Sequence, residues 1–144
     1  MQADANPDEA IEIMFNSTYG GFTFSDDACK LYCKEKCLDY DKAKYSLNWE
    51  VKRTDPDMIR IIKDLDRAAG CRHSDICLWK ISKKYQNYFT IHEYDGAESV
   101  DIDFKSYKLD RITEAISAEP VQEDVIANIR QILAMLEEDE NEEY

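Results

Sequence analysis

Five cysteines, two histidines and a crowd of carboxylates hold the chemistry available to this chain. Cys29, Cys33 and Cys37 stand four residues apart, which on a helix draws three thiols into one slowly drifting stripe. Cys71, His73 and Cys77 lie near the next predicted strand, and the two groups together contain enough sulfur and nitrogen for tetrahedral zinc. The spacing differs from common zinc fingers, which pair ligands two to four apart on a tight knuckle, and from the usual iron–sulfur run. Free cysteine is among the most frequently buried residue types, and ordinary packing accounts for the set. Neither His73 nor His92 stands in a recognised pattern with a serine or cysteine nucleophile. Glu93, Asp95, Glu98, Asp101 and Asp103 crowd one predicted hairpin, where carboxylates could hold Mg²⁺ or Ca²⁺ or form an acid–base pair. Their spacing is not that of an EF-hand, and Asp95-Gly96 is a favoured two-residue hairpin turn in its own right. A small basic and aromatic patch, Trp79, Lys80, Lys83, Lys84 and Tyr85, has the composition that stacks on single-stranded bases. Tyr19-Gly20-Gly21-Phe22 lacks the Gly-Lys-Ser/Thr ending of a phosphate loop and reads as a turn anchored by aromatics. The expectation is a protein without catalysis, metal or cofactor.

These residues must be positioned by elements that the pattern predicts as follows. Residues 1–10 read as a flexible lead and 11–136 as one domain. Ile11, Ile13 and Phe15 predict a short strand, and Asn16 to Gly21 a turn. Ser25 caps a helix to about Leu38, with Ala28, Cys29, Leu31 and Tyr32 facing inward. Leu47, Trp49 and Val51 alternate as a second strand after a charged linker. Asp55-Pro56 is a strong helix start, followed by Met58, Ile59, Ile62 and Leu65, with Gly70 as a left-handed stop. Ile76–Ile81, Tyr88–Glu93 and Val100–Phe104 then predict a small antiparallel meander of two hairpins. Two helices follow, parted at Pro120, and residues 137–144 form an acidic, mobile tail. The order predicts an α+β fold, a small antiparallel β-meander packed against several helices in a single domain.

The composition narrows the function. The sequence has 144 residues, enough for one core, and a net charge of −13. That charge argues against a nucleic-acid binder driven by phosphate contacts, which needs a basic face. No apolar run approaches the ~20 residues of a membrane span. The opening residues are acidic and polar, so no secretory leader is expected; an odd cysteine count without one argues against a disulfide framework.

Several pieces recur together as a pattern: Tyr19-Gly20-Gly21-Phe22 before Ser25 and its helix, Arg53 and Asp55-Pro56 before Ile59, and the run Tyr88 to Glu98 containing Glu93-Tyr94-Asp95-Gly96. In these the chain resembles a family of small uncharacterised proteins of nucleocytoplasmic large DNA viruses and some large phages. The resemblance spans roughly Phe15 to Val100 and departs at Ser82, where that family often has proline, and at Ser99, where it often has tryptophan. It implies a viral protein of the host cytoplasm or the virion and brings no catalytic residue. The pattern also implies a surface. If the first turn meets the Asp-Gly hairpin, Tyr19, Phe22, Tyr94, Asp95 and Glu98 form an aromatic and acidic patch suited to an Arg-rich or peptide-like protein contact. The expected function is protein–protein interaction, as a virion component or a modulator of a host factor. The alternatives are a metal-dependent enzyme using the hairpin carboxylates and a factor associated with single-stranded nucleic acid.

Overall fold

The computed structural model describes residues 9–117 and 122–142. The fold is α+β, as the element order predicts. The contacts gather into two compact units, one ending at Asp101 and the other beginning at Ile102. Each is described by itself.

The first unit opens with β1 (Ala10–Asn16), so the strand already includes the last residue of the expected flexible lead. The rest of that lead, up to residue 8, lies outside the described residues. Helix α1 (Asp26–Lys36) starts where Ser25 accepts a hydrogen bond from the Ala28 amide, with Asp26 and Asp27 in the positive first turn. Its buried face is Ala28, Cys29, Tyr32 and Cys33; Leu31, expected inside, is exposed, because the contact face follows the i, i+4 row through Cys29 and Cys33. Two four-residue helices follow, α2 (Tyr40–Ala43) and α3 (Leu47–Glu50). The second strand expected over 47–51 is therefore helix. Leu47 and Val51 are buried at the i, i+4 spacing of one helical face, while Trp49 between them is 74% exposed. Asn48 uses its side-chain carbonyl to accept the Phe24 amide.

Helix α4 (Pro56–Leu65) starts as predicted. Asp55 Oδ1 accepts the amides of Asp57 and Met58, Pro56 fills the first helical position, and Tyr32 donates its hydroxyl to Asp55 Oδ2 at 3.0 Å. Met58, Ile59, Ile61 and Ile62 enter the core with Met14, Phe24, Cys33 and Leu47. The helix stops at Leu65 and passes through Asp66, whose φ is 52°, into a short 3₁₀ turn. Gly70 is not the left-handed stop the sequence suggested: its φ is −93°. Glycine is needed there for close approach, since a Cβ would lie 2.4 Å from the Ser74 carbonyl oxygen.

Strand β2 (Ile76–Ser82) pairs antiparallel with β1 along its whole length, from Ala10 opposite Ser82 to Asn16 opposite Ile76. Strands β3 (Phe89–Tyr94) and β4 (Ala97–Ile102) form a separate two-stranded sheet. The expected three-strand meander is thus two sheets. The alternation of β2 specifies a strand but not its partner, and the chain breaks the β2–β3 hairpin with a 3₁₀ turn at Lys83–Tyr85.

The second unit holds α5 (Phe104–Ser117) and α6 (Gln122–Glu142), packed on each other. Asp103 caps α5, accepting the Ser106 amide at 3.0 Å and the Ser106 hydroxyl at 2.6 Å. Helix α6 runs on through Glu142, where a mobile tail was expected from 137; glutamate sustains helix well, so charge alone does not end the element. Pro120 and the last two residues lie outside the described residues.

The Ser106 hydrogen bonds hold the Asp103 carboxyl below the ordinary aspartate range. A depressed carboxyl pKa contributes stability that is present above its unfolded value and lost as pH falls through the folded one. A carbon-detected titration of Asp103 is expected to show a midpoint below 3.8, and Ser106→Ala should move it back toward that value. An unchanged midpoint in the variant would remove the hydroxyl hydrogen bond as the main cause and leave the Ser106 amide.

Candidate functional site

The two turns that carry the aromatic pattern do meet. Asp95 and Gly96 connect β3 to β4 with φ values of 51° and 87°, both positive, the backbone of a type I′ hairpin turn. Gly96 lies against the first turn so tightly that a Cβ would fall 2.3 Å from the Gly21 nitrogen and 2.5 Å from the Gly20 nitrogen. The Gly20 amide donates to the Asp95 carbonyl at 3.4 Å. On its other side Gly20, with φ 130°, abuts the His73 carbonyl, 2.3 Å from where a Cβ would sit.

Asn16, the last residue of β1, ties this junction together and is fully buried. Its side-chain nitrogen donates to the carbonyls of Thr18 at 2.7 Å and Gly96 at 2.8 Å. Its side-chain oxygen accepts the Asp75 amide at 2.9 Å. Its own amide donates to Glu98 Oε1 at 2.9 Å. The side chain thus ties the end of β1 to the first turn, to the Asp-Gly turn and to the residue before β2.

Arg53 closes the underside. Its guanidinium grips Glu98 through two nitrogens, at 2.7 and 2.9 Å, and donates to the Met14 carbonyl at 3.2 Å. The guanidinium carbon also lies 3.5 Å from the centre of the Phe22 ring, which packs edge-on against Phe24.

The five residues of the expected patch thus divide. Tyr19 and Tyr94 are 70% and 76% exposed, and Asp95 is exposed between them in the junction. Phe22 is half-buried beneath Arg53 and packs against the core. Glu98 is not on offer to a partner: its side chain is 8% exposed and both oxygens are held by Arg53. The β-strand period turns it toward β1, a direction the sequence could not give without knowing which strand lay opposite. Asn16 was legible only as a turn residue, and Arg53 only as part of the resemblance. Their long-range roles have no local signal.

The other chemical candidates are drawn into the fold. Glu93 accepts the Gly96 amide, Asp101 lies 2.9 Å from His92 Nε2, and Asp103 caps α5. Among the described residues no three metal-ligating side chains gather in one place. In the basic patch Tyr85 is buried, Lys83 pairs with Glu9 at 3.0 Å, and Trp79 packs edge-on to Phe15 while staying half exposed. No helix of the described residues is long and apolar enough to cross a membrane.

The cysteines differ in their surroundings. Burial pushes the Cys29 thiol up to about 11, with the neighbouring Cys33 adding to it, and burial raises Cys33 as well. Cys71 is held below the ordinary thiol value against the effect of burial, because its sulfur accepts hydrogen bonds from Ser74 and nearby amides. Iodoacetamide at pH 8 is expected to label Cys71 and the exposed Cys37 in the folded protein while Cys29 and Cys33 stay intact. Peptide mapping by mass spectrometry reads the result, and early labelling of Cys29 would contradict the packing described.

Comparison with known proteins finds no family model, no curated protein and no solved structure that matches the chain.

Proposed function

We propose that this is a small acidic viral protein that works by binding another protein, as a virion component or a modulator of a host factor, and not by catalysis. The observation that carries the reading is the pair of exposed tyrosines on an immobilised junction. Tyr19 and Tyr94 each stand one residue from the Gly20–Asp95 hydrogen bond. Beneath them are the buried Asn16 and the Arg53–Glu98 pair, so the backbone under both rings is fixed before any partner arrives. Interface energy concentrates in large aromatic side chains held in place, because little conformational entropy is lost when they dock. The adjacent Asp95 carboxylate favours a partner presenting arginine or lysine. The viral part of the reading rests on the sequence resemblance alone.

The test is crosslinking from a benzophenone amino acid placed at Ser99, beside the junction, in infected cells. The parent chain is compared with the double variant Tyr19→Ala/Tyr94→Ala. A crosslinked protein that disappears in the double variant, with thermal stability unchanged, supports the reading. The same crosslinks in both chains would end it.

A further inference from the structure

Strand β1 has β2 on one side only, and its outer edge is divided between a closed half and an open half. In an antiparallel pair, alternate residues turn both backbone groups away from the partner strand. Met14 is one of these: its amide donates to the Arg53 carbonyl at 2.8 Å and its carbonyl accepts from the Arg53 guanidinium. By the register, Asn16, Glu12 and Ala10 face the same way. Asn16 is closed by Glu98. The outward backbone groups of Glu12 and Ala10 bond to nothing among the described residues. Arg53 and Glu98 thus act as a surrogate neighbour for the second half of the edge and leave the first half unpaired.

Beside that open half runs a groove of about 590 Å³, lined by Ile11, Glu12, Pro56, Ile59, Arg60 and Lys63 among others. The volume suits a few residues of extended chain and lies within the ~300–1,000 Å³ usual for ligand clefts. Its floor is apolar at Ile11, Pro56 and Ile59. Its charged lining is two cations and one carboxylate, on a chain of net −13. Arg60 is shared between Glu35 and Asp57, and Lys63 pairs with Glu12, on a surface where such ion pairs contribute little and exchange readily for an incoming carboxylate.

The geometry points to the open half of the β1 edge as a docking site for an extended, acid-bearing peptide segment of a partner protein. The segment adds as a short third strand. Its backbone pairs with Ala10 and Glu12, an apolar side chain sits on Ile59 and Pro56, and a carboxylate meets Arg60 and Lys63. The site lies at the opposite end of β1 from the two turns, about 15 Å along the strand. It does not rest on the function proposed above.

The test titrates the full chain with a blocked hexapeptide, Thr-Val-Glu-Val-Glu-Thr, and with the same peptide carrying lysine for glutamate. Amide exchange and chemical shifts are read by NMR. The Glu12 amide is expected to slow its exchange at least tenfold with the acidic peptide and not with the basic one. Beyond the carboxylate that Glu12→Ala also removes, Glu12→Pro takes away an outward donor, which an edge strand tolerates, and is expected to weaken binding at least tenfold. Glu12→Ala keeps that donor, frees Lys63, and should bind as well as the parent or better. Tyr19→Ala/Tyr94→Ala should leave peptide binding unchanged, which separates this site from the other surface. An unprotected Glu12 amide at millimolar peptide overturns the inference, as does equal binding by the proline and alanine variants. Equal protection by both peptides removes the acidic partner. Protection of Glu12 that rises with protein concentration alone assigns the edge to a second copy of this chain.

Discussion

Arg53→Met is expected to destabilise the protein by about 3 kcal/mol, near the lower end of what breaking one side of a buried ion pair costs. The partner left behind is decisive. Glu98 is 8% exposed on its side chain and would keep only the Asn16 amide as a donor. Arg53 itself is 24% exposed, so some water reaches the pair, and the estimate stays below the ~5 kcal/mol of a fully buried one. The substitution also removes the guanidinium from the Phe22 ring and from the Met14 carbonyl. A thermal midpoint lowered by about 10 °C is the corresponding shift for a chain of this size. The double variant Arg53→Met/Glu98→Gln should recover more than half of the loss. It leaves no unpaired charge, and the glutamine carbonyl can still accept the Asn16 amide. Urea unfolding of the parent and the variants measures both effects. A single-variant loss under about 1 kcal/mol would show that the pair is solvated and that the junction is held by other contacts.

Gly96→Ala is expected to separate the two turns. The new methyl group would meet backbone nitrogens at 2.3 and 2.5 Å, and backbone cannot swing aside as a flexible side chain can. We expect a loss of about 3 kcal/mol or more, in the range of other backbone and overpacking defects. Gly21 supplies the control. Its φ of 91° also disfavours a side chain, but nothing lies within 4 Å of its Cβ position. Gly21→Ala should therefore cost only the strain of a positive φ, about 1–2 kcal/mol. Gly96→Asn distinguishes the two causes further, because asparagine tolerates positive φ yet still carries a Cβ. It should be as damaging as alanine if close approach is what matters. The resonances of the Gly20 amide and the Asn16 side-chain amide report the junction directly. Both are expected to move in Gly96→Ala and to stay in place in Gly21→Ala. Equal losses at the two glycines would mean that conformation, not contact, requires glycine at 96.

How much of this was readable in advance depends on the range of the signal. Helix α4 was legible because every cue lies within one turn: Asp55 as cap, Pro56 at the first position, then apolar residues at helical spacing. The start of α1 at Ser25 and the Asp95-Gly96 turn were legible for the same reason. Leu47, Trp49 and Val51 misled because three alternating residues fit a strand, while Leu47 and Val51 alone also fit a helical face. The surface was half legible. The two turns and their aromatics stood out as a pattern, and the structure joins them, but Glu98 looks inward and Phe22 is half covered.

The sequence by itself determined local matters: where α1 and α4 begin, that residues 76–81 extend as a strand, that one turn must take positive φ, and that the chain is strongly acidic; the strand expected over 100–104 instead spans 97–102 and gives way to α5 at Phe104. Caps, turns and periodicity act over a few residues, so they are written in the order of the residues. Tertiary structure alone decided that β2 joins β1 across some sixty intervening residues and not β3 beside it. It also decided that Arg53 meets Glu98, and that Asn16 bridges to Gly96 eighty positions away. A strand carries the same outward hydrogen-bonding groups for any partner, and a carboxylate accepts any cation. Which one is met depends on how the apolar faces of α1, α4 and β1 pack, and that packing has no counterpart in the local order of residues.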